Sequence, residues 1–168
     1  MDSLTYVNGL WHPCYKFSKD LGLYRAQGVV EVLEGRGNVF FRLDDHYKRL
    51  LKSCGAYESL SIEKLPSKEE IMMRFAMLSK PSDPYVARIL VTPGDSKDSK
   101  TPSGGQALTI DVLDFPQQQT APFKLKTVNA TRAFPQYKLT AGYGYAPLHE
   151  ASVKKLGYDK FLYWSGRT

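Results

Sequence analysis

Ala133-Phe134-Pro135-Gln136-Tyr137-Lys138-Leu139-Thr140-Ala141-Gly142-Tyr143-Gly144-Tyr145 runs into a helix-like stretch that stops at Gly157-Tyr158-Asp159, and this region decides how the chain is read. It offers one candidate covalent catalyst, Lys138. A lysine amine becomes a useful nucleophile only when desolvation or a nearby cation brings its pKa down. Taken singly, Lys138 reads as a solvated surface amine. Its neighbours change that weighting: Tyr143 follows at five positions, Gly157 at nineteen, and the strand-like run Lys160-Phe161-Leu162-Tyr163-Trp164 comes after a turn.

Upstream, Gly22-Leu23-Tyr24-Arg25-Ala26-Gln27-Gly28 leads into the apolar run Val29 to Leu33. A Gly35-Arg36-Gly37-Asn38 turn, a second strand Val39 to Phe41 and a helix from about Asp44 to Cys54, stopped by Gly55, follow. That helix carries His46-Tyr47-Lys48-Arg49-Leu50. The Arg49 guanidinium, a planar fork that stays charged, suits an anionic oxygen cluster such as phosphate. The alternative is a solvated face, because Asp45/Arg49 and Asp44/Lys48 are spaced for weak ion pairs. His46 reads as structural, packing or capping against the preceding strand. In Tyr85-Val86-Ala87-Arg88-Ile89-Leu90-Val91-Thr92 one arginine interrupts a continuous apolar strand. Such a charge either points to solvent on the alternate face or meets an anion.

Taken together, these segments resemble fold type IV (class IV) PLP-dependent aminotransferases, closest to the branched-chain and D-amino-acid aminotransferases. Aminodeoxychorismate lyases belong to the same group. The resemblance implies a small N-terminal α/β domain followed by the beginning of a larger β-rich domain, an α+β chain. It implies pyridoxal 5'-phosphate as cofactor, held by Lys138 as a Schiff base, with Tyr143 on the phenolic oxygen and Arg49 on the phosphate. Arg88 and Arg25 become substrate-side candidates, although Arg25-Ala26-Gln27-Gly28 departs from the family's commoner aromatic-Gly-Asp-Gly pattern. The activity implied is transfer of an amino group between an amino acid, of branched-chain or D type, and a 2-keto acid, in a homodimer. The alternatives are a PLP lyase or a non-catalytic module. Lys126-Thr127-Val128-Asn129 mimics another lysine signature of the group, but it stands about a dozen residues too far from Gly157. The resemblance covers nearly all of this chain and about the first half to two thirds of a family member. The glutamate for the pyridine nitrogen and a Gly/Ser/Thr-rich phosphate loop would fall after Thr168, so the chain reads as a fragment or an abbreviated relative.

The remaining sequence sets the frame. With 168 residues the chain can bury a real core, and 23 Lys and Arg against 17 Asp and Glu give +6. Those charges are interspersed, which favours anionic small molecules over nucleic acid. No apolar run reaches the length of about 18 residues needed to cross a membrane, and no secretion signal opens the chain; a cytoplasmic protein is expected. Cys14 and Cys54 read as reduced structural thiols, and the three histidines form no metal-ligand pattern. Asn129-Ala130-Thr131 is a chance glycosylation triplet.

Leu4 to His12 predicts a hairpin turning on Asn8-Gly9. Ser67-Lys68-Glu69-Glu70 predicts a capped helix through Met77. Strands at Tyr85–Thr92 and Ala107–Leu113 flank a polar stretch, Gly94 to Gly105, that reads as a mobile surface loop. Residues 116–122 read as a linker between a domain of residues 1–115 and a second beginning at 123. A strand at about Lys124–Asn129 and a helix at Ala146–Leu156 complete the second part.

Overall fold

The computed structural model describes residues 3–13, 19–117 and 120–166. Cys14 and residues 118–119 of the expected linker lie outside the described residues. The chain divides into two compact units, Met1–Phe115 with Tyr137–Ala141, and Pro116–Gln136 with Gly142–Thr168. The Lys138 segment thus returns to the first unit after the chain has entered the second.

The first unit is built on a six-stranded antiparallel sheet in the order β2-β1-β6-β5-β3-β4. Its strands are β1 (Ser3–Val7), β2 (Leu10–His12), β3 (Val29–Arg36), β4 (Val39–Phe40), β5 (Tyr85–Thr92) and β6 (Ala107–Asp114). The β1–β2 hairpin turns through Asn8 and Gly9, with φ of 50° and 82°, the positive pair expected from the sequence. β3 runs on to Arg36, beyond the predicted end at Leu33, because Gly35 lies opposite Tyr85 in the β3–β5 register. A Cβ at Gly35 would collide with the Tyr85 ring, so the glycine lets that ring cover the strand while its hydroxyl donates to the Gly37 carbonyl at 2.9 Å.

Burial alternates along β3, with Val29, Glu31 and Leu33 buried. This is the period of a strand with one covered face. Helices α2 (Leu43–Cys54) and α3 (Lys68–Ala76) supply Leu50, Cys54, Ile71 and Phe75 to the same core as Val29, Leu33, Ala87, Ile89 and Ile110. Phe40 packs against Phe75 and, edge-on, against Tyr85. The Ser67 hydroxyl accepts the Glu70 amide, as the capping pattern predicts. One helix was not anticipated: α1 (Leu21–Arg25), only five residues long, is capped by Asp20 and lacks the periodicity that would announce it.

Gly94 to Gly105 carries local hydrogen bonds that its composition does not announce. Leu21 and Ser96 donate amides to Gly94 and Lys19, Ser103 and Gly104 donate to the Asp95 carbonyl, and the Asp98 carboxylate accepts the amides of Lys100 and Thr101. Asp98 is held well below the usual carboxylate range by those amides. Local polar bonding, rather than apolar burial, gives the segment its shape.

The second unit holds a two-stranded parallel sheet of β7 (Leu125–Asn129) and β8 (Lys160–Trp164), with α4 (Ala146–Lys155) between them in sequence. Glu150 on α4 accepts from Lys154 and Lys160, each at 2.9 Å. The Lys154 and Lys160 ammoniums lower its pKa to about 2. Among the described residues no helix is long and apolar enough to cross a membrane, and no cluster of metal-ligating side chains is present.

Candidate functional site

Lys138 is held by its backbone on two sides. Its amide donates to the buried Ser53 hydroxyl at 3.0 Å, and its carbonyl accepts the Val30 amide at 3.1 Å. The next residue, Leu139, bridges Val29, and the Thr140 amide donates to Gly28 at 2.8 Å. The Thr140 hydroxyl donates to the carbonyls of Ala26 and Gly28. Residues 138–140 therefore extend the sheet locally at the start of β3. The Lys138 ammonium has no hydrogen-bond or ion-pair partner among the described residues.

Arg49 enters the same frame. On α2, Arg49 and Ser53 are four apart and so share a face. Arg49 donates from Nε and Nη2 to the two carboxylate oxygens of Glu31, each at 2.6 Å. Glu31 has no exposed side-chain surface, and His46 Nδ1 lies 2.8 Å from its Oε2. A buried carboxylate requires such compensation, because desolvating it unpaired is costly. Glu31 follows Val30, whose amide holds Lys138. Lysine, serine, helix, arginine, glutamate and strand thus form a closed ring of constraints that sets the Lys138 backbone relative to the Arg49 guanidinium, which stays 44% exposed.

This arrangement departs from the solvated-face alternative for α2. Asp45 pairs with Arg42 and Asp44 with Lys68, while Arg49 turns to the sheet. His46, expected to pack or cap against the preceding strand, meets the sheet through Glu31 on β3.

Arg88 lies elsewhere. In the strand registers it is opposite Val32 on β3 and Asp111 on β6, and so on the face away from Glu31. Its Nε and Nη2 both donate to the Asp111 carboxylate, the shortest contact being 2.7 Å. Both readings of that interrupted strand hold together: Arg88 lies part-exposed on the alternate face, and it meets an anion that the protein itself supplies. Arg25 ends α1, exposed, with Nε donating to the Ser99 carbonyl at 2.8 Å. Lys126 lies exposed on β7, its Nζ 5.4 Å from the centre of the Tyr158 ring.

In the second unit, Tyr143 closes the short 3₁₀ turn Thr140–Tyr143, and the Arg132 guanidinium lies 4.4 Å from the centre of its ring.

Sequence reasoning missed Glu31 and Ser53. Glu31 carried a signal, since it is the one charge in Val29-Val30-Glu31-Val32-Leu33, the same pattern that drew notice to Arg88. Ser53 had none, because a serine near a helix end is commonplace.

Residues 28–167 match the family described as Amino-transferase class IV. Solved structures share the fold. The branched-chain amino acid aminotransferase of Escherichia coli superposes with a TM-score of 0.73 at 18% identity, over 99% of this chain and 59% of that one. The branched-chain aminotransferase of Thermoproteus uzoniensis, crystallised with norvaline, gives 0.70 at 18% identity, over 99% and 61%. An aminotransferase from Brucella abortus bound to PLP gives 0.71 at 16% identity, over 99% and 63%. This chain therefore spans between 59 and 63% of the length of these structures. No curated protein sequence matches it significantly.

Proposed function

The chain belongs to the class IV aminotransferases, and on that footing we propose that it takes part in PLP-dependent transfer of an amino group from an amino acid to a 2-keto acid, with Lys138 as the residue that holds the cofactor. The observation that carries this reading is the ring of constraints around Lys138. It ties a lysine amine that lacks a partner among the described residues to a partly exposed guanidinium within one unit. An aldehyde and a phosphate on one small molecule call for that pair of groups.

When bound, PLP supplies an electron sink for the substrate carbon that loses its proton. The chain's own residues supply position. Arg49, steadied by Glu31, would hold the phosphate, and the Tyr143 hydroxyl would donate to the phenolic oxygen. With the cofactor bound, the Lys138 amine would take and return the proton at the substrate Cα. Its fixed backbone supports that step, since a well-oriented group acts with effective molarities on the order of 10⁵ M or more. The substrate carboxylate falls to Arg25 ahead of Arg88. Arg25 faces only a neutral carbonyl, whereas Arg88 already faces a carboxylate and gains less from a second.

The branched-chain or D-amino-acid class of substrate, a homodimer and a cytoplasmic setting belong to the same proposal. We read Phe115 as the end of the small domain, with residues 137–141 returning to it.

The test is incubation of the chain with PLP, borohydride reduction and mass mapping. The expected adduct lies on the peptide containing Lys138 and vanishes in Lys138→Ala. An adduct on Lys126, or none, overturns the assignment.

A further inference from the structure

The Arg132 guanidinium carbon stands 4.4 Å from the centre of the Tyr143 ring, within the distance at which a cation is attracted to the negative ring face. Contact continues along the side chain. A Cβ at Gly142 would lie 3.6 Å from Arg132 Cδ, so the aliphatic stem runs past the residue preceding the tyrosine. Both partners lie in the second unit. No carboxylate pairs with Arg132 among the described residues. That separates it from Arg49, Arg88, Arg42 and Arg36, each of which faces an aspartate or glutamate.

From this arrangement we infer that Arg132 is a positioning residue for Tyr143, clamping its ring by one face so that the hydroxyl is presented in a single orientation. The inference rests on the proposed role of Tyr143 toward the cofactor's phenolic oxygen and adds a residue to it. The physical reason is short. The hydroxyl oxygen of a tyrosine moves when the side chain changes its χ1 well, and a guanidinium held on one face of the ring favours one well. A guanidinium suits the task better than an ammonium, because its plane stacks on the ring. Its charge also favours negative charge on a ligand oxygen bound by the same tyrosine.

The experiment has two readouts on the full chain. In the unloaded protein, the Arg132 Hδ protons should resonate upfield of their usual positions through the ring current, and Tyr143→Leu should return them; an unshifted signal in the wild-type chain overturns the inference. With PLP as the probe, equilibrium binding is compared for wild type, Arg132→Gln, Arg132→Lys, Tyr143→Phe and the Arg132→Gln/Tyr143→Phe double variant. Expected is a loss of about two- to fivefold in affinity for Arg132→Gln, the range of an exposed cation–ring contact. Arg132→Lys should recover part of it, and Arg132→Gln should have no effect once Tyr143 is phenylalanine. An equal loss in both backgrounds shows Arg132 acting independently of the hydroxyl and sinks the inference alone. Tyr143→Phe binding like wild type, or a chain that binds no PLP, sinks the underlying assignment and the inference with it.

Discussion

Arg49 and Glu31 meet edge to edge, two N–H groups on two carboxylate oxygens at 2.6 Å each, and the glutamate is wholly enclosed while the arginine is not. The pair therefore works asymmetrically. Glu31 depends on Arg49 and His46 for compensation, and Arg49 depends on Glu31 for direction.

Glu31→Gln should destabilise the chain by about 1–3 kcal/mol, the range for leaving a buried polar group poorly matched. The partial exposure of Arg49 keeps the cost below that of a fully enclosed pair. Urea unfolding of both proteins checks this, and a midpoint equal to wild type would show that the carboxylate charge contributes nothing.

Ser53→Ala removes the hydroxyl that accepts the Lys138 amide and should cost about 1–3 kcal/mol if that amide stays buried. The more telling readout is exchange. The Lys138 amide should exchange with solvent deuterium markedly faster in the variant, while the Val30 amide, held by the Lys138 carbonyl, should follow it. Unchanged exchange at both would mean that Ser53 does not hold the segment.

Asp20 is fully buried, accepts from the Gly22 amide and the Thr92 hydroxyl, and has its pKa raised, chiefly by desolvation and also by the nearby Asp95. The folded state therefore holds this proton more tightly than the unfolded chain. Its contribution to stability is fully present below the ordinary value of 3.8 and is lost as pH rises through the folded pKa. Asp20→Asn removes the titration, so the stability of wild type relative to the variant should decline as pH rises above about 4, the ordinary Asp value. Melting temperatures of both proteins across that window test the sign, and a difference that grows with pH would refute it.

Cys54 is enclosed in the core, and burial pushes its thiol up to about 12. In a Cys14→Ser background, a disulfide reagent at pH 8 should modify Cys54 only as the protein unfolds. Prompt labelling under native conditions would contradict the packing around α2.

Gly35→Ala should destabilise by about 1–3 kcal/mol, the cost of forcing volume into a filled core, because the new methyl meets the Tyr85 ring. Tyr85→Leu in the same chain should relieve part of the added strain, which a double-mutant cycle on unfolding would measure.

What the sequence made legible follows the physics of each segment. β5 and β6 were readable because long apolar runs bounded by turn residues have few other fates, and α3 because Ser67 and Glu70 mark its start. α1 was not, since five residues are too short for a period and its cap, Asp20, works through a tertiary partner, Thr92. Lys138, Arg49, Arg88 and Tyr143 were picked out as chemistry-bearing positions. Their partners were harder to see. Asp111 answers Arg88 across a strand pair and Glu31 answers Arg49 between strand and helix, and such contacts depend on register rather than on spacing along the chain.

The anchoring of residues 138–140 to the start of β3 also bears on how this region tolerates change in length. Arg132 to Gln136 are exposed, and the hydrogen bonds that hold Lys138 lie downstream of them. Residues added to or removed from that stretch would leave the lysine in register, because Val30 and Ser53, not the length of chain before it, fix where it stops. One residue inserted between Lys138 and Thr140 would instead break the bridge to Val29 or turn the side chain to the opposite side. Divergence in length can accumulate on one side of the lysine and not on the other.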